Sequence, residues 1–185
     1  MLTNTSNSYG WIAIAFHWLS ALAVFGLFAL GYWMVDLDYY SSWYKEAPHL
    51  HKSIGLLLAL LTLARIGWKI KQTTPKGIGA KWEIAAAHFT HLALYLLLLS
   101  IFLTGYLIST ADGRGIDVFN WFTLPSSGEW VEHQEDIAGD IHRWLAYTVI
   151  GLAILHAAAA IKHHVISKDN TLKRMLTPTI NEDEE

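Results

Sequence analysis

The chain has 185 residues, of which 53% are hydrophobic and 16% charged, well below the roughly 25% charged fraction of soluble globular domains. A mean hydropathy of +0.29 with nine Trp and eight Tyr points to several membrane spans with aromatic anchors at the interfaces. A net charge of −3 without a basic stripe argues against nucleic acid as a partner, and the absence of cysteine excludes disulfides, thiolate zinc sites, iron–sulfur clusters and c-type haem attachment.

After an N-terminal segment, residues 1–10, four apolar runs follow at 11–35, 50–68, 84–109 and 138–166. Each is close to the ~20 residues that cross a hydrocarbon core. They predict an all-α membrane protein, a four-transmembrane-helix bundle occupying 11–176, in a multi-pass arrangement within the lipid bilayer. The first run has no basic flank and no small-residue cleavage site, and it contains His17 and Trp18, so it is expected to be retained. The first connection carries Asp36, Asp38 and Glu46, and the second carries Arg65, Lys69, Lys71, Lys76 and Lys81. The third connection, 110–137, holds Asp112, Asp117, Glu129, Glu132, Glu135 and Asp136 among Gly113, Gly115, Pro125 and Gly128. It reads as an acidic loop with a short interfacial helix around 119–122. Lys162, Lys168, Lys173 and Arg174 close the last span. The positive-inside rule then predicts both termini cytoplasmic. The acidic tail, 177–185, is expected to be disordered at Glu182 to Glu185.

Ten histidines in so apolar a chain require an explanation, because ionisable residues inside a membrane are functional by default. His142 and His156 are 14 residues apart on the fourth span, which returns them to within about 40° of one helix face at depths about 21 Å apart. The other spans supply a partner at each depth. His51 at the outer end of the second span matches His142, and His17 in the inner third of the first matches His156. Two imidazoles from facing helices can clamp a haem iron axially, so the spacing predicts two stacked haems, a transmembrane electron wire.

Arg65 lies 14 residues beyond His51, on the same face at the inner depth, where a guanidinium suits a haem propionate; it equally suits a positive-inside flank. Lys52 and Arg143 adjoin the outer histidines and are candidates for the outer propionates. Gly55, Gly105 and Gly151 admit either a macrocycle or ordinary helix packing. His88, His91, His163 and His164 gather toward the cytoplasmic face. His91 and His164, with His88, are candidates for a quinone site, where imidazole can hydrogen-bond a carbonyl and carry a proton. The same four admit a second chemistry, a membrane di-metal hydroxylase or desaturase built from H-x-x-H at 88–91 and H-H at 163–164. His49 and His133 fall in outer loops and carry no signal.

Several motifs together resemble a known family. They are F-H-W at 16–18, L-H-K-S-I-G at 50–55, H-F-T-H-L-A-L-Y at 88–95, I-H-R-W at 141–144, L-H-A-A-A-A-I-K-H-H at 155–164 and K-D-N-T-L-K-R-M at 168–175. The chain resembles the bacterial di-haem cytochrome b561 family, related to the cytochrome b subunits of nickel hydrogenases and of formate dehydrogenase. The resemblance covers nearly everything but the termini and the outer loop. It implies four helices, a bacterial inner-membrane location, two haem b, and iron ligands at His17, His51, His142 and His156. It also implies electron exchange between a periplasmic-side partner and the quinone pool, ubiquinone or another quinone. Some members resemble a superoxide oxidase passing electrons from superoxide to ubiquinone. An anionic substrate favours a positive outer face; here that face is acidic, with Lys52, Arg114 and Arg143 as the candidates for a local positive funnel. The acidic face suits a basic periplasmic electron-transfer partner. A role as the anchor of a larger dehydrogenase keeps the haems and changes the partner.

Overall fold

The computed structural model describes residues 1–178; of the acidic tail, Glu182 to Glu185 lie outside the described residues. Four helices follow in chain order, α1 (Trp11–Met34), α2 (Glu46–Lys71), α3 (Lys81–Thr110) and α4 (Gln134–Lys162). All are long and apolar enough to cross a membrane. Such segments are helical in lipid because only a helix satisfies every backbone N–H and C=O within the segment. Their ends reach past the apolar runs where polar residues supply the first and last turns. At the start of α3, the Glu83 carboxylate accepts from the Ala80 N–H at 2.8 Å. At the start of α4, Glu135 and Asp136 occupy the positive end of the helix dipole. Past Lys162, α4 widens into one π-helical turn, His163–Ser167, and a 3-10 turn follows at Lys173–Met175.

The long connection contains no helix at 119–122, contrary to the sequence expectation. It forms a hairpin of β1 (Ile116–Val118) and β2 (Phe122–Leu124), antiparallel, with Val118 opposite Phe122. The Trp121 N–H donates to the Val118 carbonyl at 2.8 Å. Phe119 and Asn120 both have positive φ, 47° and 60°, so the turn is of the mirror-image kind that matches strand twist. Alternation won over helix formation here. Ile116 and Val118 are buried while Asp117 between them is exposed, a period of two that a helix cannot satisfy. The hairpin is seated on α2 by Ser53, whose hydroxyl donates to the Asp117 carbonyl at 3.3 Å and accepts from the Phe119 N–H at 3.2 Å.

Helix α1 packs chiefly on α2 and α3 chiefly on α4, and the two helical hairpins touch each other more sparsely. Small polar residues (Ser20, Ser53, Thr62 and Thr104) are buried along the helices, the usual currency of close packing in membranes. Large apolar side chains such as Leu22 and Phe89 face outward. The β-hairpin marks one end of the bundle. Both ends of the described chain meet at the other, where Arg174 is the tie. Its Nε donates to the Asn7 carbonyl at 2.7 Å and its Nη1 to the Lys76 carbonyl at 2.9 Å. The Trp18 indole N–H adds a bond to the Met175 carbonyl at 2.6 Å, and the Lys76 N–H one to the Ser6 carbonyl at 2.9 Å.

Candidate functional site

The helices bring four histidines together in two pairs. At the hairpin end, His51 of α2 faces His142 of α4 with ring centroids 6.3 Å apart. Toward the terminal end, His17 of α1 faces His156 of α4 at 6.2 Å. A metal held between two imidazole nitrogens at about 2 Å each separates the ring centroids by about 6 Å or slightly more, so both pairs have a spacing at which one metal ion could be held between the rings. The spacing also discriminates. His91 of α3 lies 5.1 Å from His156, too close for an atom to be ligated between those two rings.

The tautomers bear on the same question, because a ring that ligates through one nitrogen carries its proton on the other. His142 Nδ1 lies 3.0 Å from the Ile101 carbonyl, which can only accept. The proton therefore sits on Nδ1 and the Nε2 lone pair is left for a metal. The Thr104 hydroxyl is 3.1 Å from the same Nδ1 and from the Ile101 carbonyl, closing that corner. His17 differs. Its Nδ1 is 3.2 Å from Arg65 Nη2, and a guanidinium can only donate, so this contact places the His17 proton on Nε2. Ligation through Nε2 requires Arg65 to release the ring, which would free the guanidinium for an anionic group beside it. Arg65 lies over the Tyr95 ring, 5.6 Å from its centroid, as does Lys69 at 5.2 Å.

The remaining sequence candidates are distributed less evenly. Lys52 is half-buried next to His51. Arg143 is exposed and donates to Asp140 at 2.9 Å, and Arg114 pairs with Asp112 through Nε at 2.7 Å. Two of the three cations expected to form a positive funnel thus carry their own carboxylates, which cancels much of the field they would set up. Gly55 and Gly151 face open space, whereas Gly105 lies against the His142 ring. His91 is half-buried beside His156, but His88 and His164 are exposed. Among the described residues, no hydrogen bond or ring contact joins either of them to His91. His163 turns away to Asp169, 2.6 Å from its Nδ1, and Glu83, 3.8 Å from its Nε2. No group of three or more His, Cys, Asp and Glu converges on a metal-binding arrangement among the described residues, so the donor set of a di-metal oxygenase is not assembled. His49 lies 6.4 Å from Phe119, and His133 starts α4 with a positive φ of 58°.

Sequence reasoning missed Gly31, Thr104, Tyr95 and Tyr9. Burial pushes the Tyr9 hydroxyl pKa up against the lowering influence of Arg174 and Arg65, which locates this residue between the terminal cap and the His17 pair. Gly31 lies against the His51 ring. The one signal available for it was depth, since it sits near the hairpin end of the first span as His51 does of the second.

Comparison with known proteins adds to this geometry. The family described as prokaryotic cytochrome b561 matches residues 8–178. "Cytochrome b561 homolog 2" of Escherichia coli (strain K12) is 51% identical over 176 residues, covering 94% of each chain. "Cytochrome b561 homolog 1" of the same organism is 27% identical, over 92% of this chain and 97% of that one. The "Probable superoxide oxidase CybB" of Yersinia pestis is 29% identical, over 92% of this chain and 96% of its own.

Proposed function

The chain belongs to the prokaryotic cytochrome b561 family, which implies haem b, and on that premise we propose that it carries electrons across the membrane between a periplasmic-side partner and the quinone pool through two haems. The observation that carries this reading is the pair of ring spacings, 6.3 and 6.2 Å, with His142 and His156 projecting from one helix at two depths. Haem b bound at the two pairs supplies a one-electron ferric–ferrous couple.

The protein's own groups do the rest. His51 with His142, and His17 with His156, would hold the two haem irons, which would then supply electron transfer without a position open to substrate. Arg65 at the His17 pair, and Lys52 and Arg143 at the other, neutralise propionates. His91 hydrogen-bonds a quinone carbonyl beside the His17 pair and holds the proton that reduction requires; His88 and His164, exposed at the same end of the bundle, are further candidates for that site. The lysine- and arginine-bearing end, with both termini, is cytoplasmic in this reading.

The decisive measurement is a reduced-minus-oxidised spectrum of the purified protein with haem counted per chain. Two low-spin b haems are expected, and His156→Ala should remove one of them and quinone-linked reduction with it. An unaltered two-haem spectrum in that variant refutes the assignment. The acidic hairpin end favours a basic soluble electron partner, so coupling should slow as ionic strength rises; a salt-independent rate refutes that choice. The name of the 29% identical relative supports a second reading, superoxide as the electron source and quinone as the acceptor. Superoxide-dependent quinone reduction by the purified protein distinguishes the two.

A further inference from the structure

We propose that Gly31 and Gly105 are positioning residues that set the orientation of the hairpin-end pair, His51 and His142, independently of the other pair. The inference rests on the reading in which those two histidines ligate a haem, and it concerns residues with no chemistry of their own.

The argument starts from what a side chain would meet at each position. A Cβ on Gly31 of α1 would lie 3.0 Å from Cε1 and 3.5 Å from Nδ1 of His51. A Cβ on Gly105 of α3 would lie 3.2 Å from Cε1 and 3.5 Å from Nδ1 of His142. Each ring is therefore laid edge-on against the backbone of a neighbouring helix, at a distance that glycine alone permits without displacement. What the approach achieves is visible at His142. Its Nδ1 reaches the Ile101 carbonyl at 3.0 Å, and Ile101 stands four residues before Gly105, so the carbonyl that bonds the Gly105 N–H in the helix is the one the imidazole shares. At His51 the ring lies as close to Gly31, but its Nδ1 is buried without a hydrogen-bond partner, so there the glycine supplies the close approach and no carbonyl bond. Two different helices thus share the close approach of an imidazole to a glycine. At Gly105 the glycine at position i+4 lets the imidazole reach carbonyl i, which orients the ring and leaves Nε2 for a metal, while at Gly31 contact with the backbone alone limits how the His51 ring can turn.

The device is confined to one end of the bundle. Of the described glycines that touch a candidate haem ligand, both touch the hairpin-end pair and none touches His17 or His156. The two haem sites therefore answer differently to the same substitution.

The test uses the full-length holoprotein, purified with haem, and reads haem per chain, the low-spin ferric signals in electron paramagnetic resonance, and the two midpoint potentials. His142→Ala identifies which signal belongs to the hairpin-end haem. Gly31→Ala and Gly105→Ala should keep two haems and shift the g values and potential of that haem alone, with the larger shift at Gly31 because its contact is closer. Gly31→Leu and Gly105→Leu should each lower haem from two per chain to one, the remaining signal being that of the His17 pair. Gly67→Ala, at a position with open space around it, should change neither signal. Alanine variants with an unshifted hairpin-end signal, leucine variants that keep both haems, or equal disturbance of both haems would overturn the inference. A wild-type protein with fewer than two haems would instead refute the functional reading on which it rests.

Discussion

Replacement of Arg174 by alanine tests the terminal cap most directly. The residue is 9% exposed and its guanidinium makes two hydrogen bonds, to the Asn7 carbonyl at 2.7 Å and to the Lys76 carbonyl at 2.9 Å. A hydrogen bond from a charged group contributes about 1.5–3 kcal/mol. Both carbonyls regain water at the membrane surface when the side chain is gone, so the lower end applies, about 3 kcal/mol for the two. At about 1.4 kcal/mol per tenfold, local opening of the cap should become about a hundredfold more frequent. Hydrogen exchange followed by mass spectrometry, with the protein in lipid nanodiscs, reads this directly. Amides in 5–10, 72–78 and 172–177 should exchange faster together, while those in the middle of α2 and α3 keep their protection. Arg174→Lys should recover only part of it, since an ammonium cannot reproduce two divergent donors of a planar fork. Faster exchange confined to 172–177 would refute the reasoning, as would full recovery with lysine.

Two further outcomes follow from the same end of the molecule. Arg65→Ala removes a fixed positive charge beside His17, which disfavours the electron-rich ferrous state, so the midpoint potential of the haem at the His17 pair should fall by on the order of tens of millivolts; potentiometric titration checks it, and an unchanged or higher value contradicts it. Burial raises the Asp169 carboxyl, but hydrogen bonds from Thr171 and His163 outweigh it and hold the pKa at about 2, against 3.8 ordinarily. The stabilisation this depressed group contributes is complete above 3.8 and lost as the pH falls through about 2. Asp169→Asn should therefore speed amide exchange in 168–176 at neutral pH, where the wild type stays protected; equal exchange in the two proteins would show that the carboxylate does not hold the segment.

The four spans were legible because each needs only a sustained apolar run, and the juxtaposition of His142 with His51 and of His156 with His17 was legible because helical periodicity converts spacing into face and depth. Other features depend on contacts between segments far apart in the chain. Arg174 reads in sequence as one more cation after the last span; that it ties residues 7 and 76 together follows only once three segments meet. The hairpin escaped notice because its strands are three residues long and a bulky Phe119 precedes Asn120 at the turn, where Asn-Gly would have signalled it. Likewise, Arg65 was placed at the right depth by counting, but its contact with His17 depends on a side-chain path that no spacing encodes. The glycines at 31 and 105 were indistinguishable in sequence from packing glycines such as Gly67.

The sparse contact between the two helical hairpins bears on how the protein is made. Each candidate iron pair joins the first hairpin to the second, since α4 supplies one ring to both while α1 and α2 supply the others. A newly inserted chain can complete α1 with α2, and α3 with α4, inside the bilayer without any cofactor. What remains is to close one hairpin on the other, through the terminal cap and the Ser53 contacts and, in the proposed reading, through a haem shared across each histidine pair. In that reading, haem supply would then bear on assembly. A cell short of haem should accumulate inserted, half-assembled chains, with glycines such as Gly55 and Gly151 still facing empty space and the hairpins free to part. Such chains would be the natural substrate of membrane proteases.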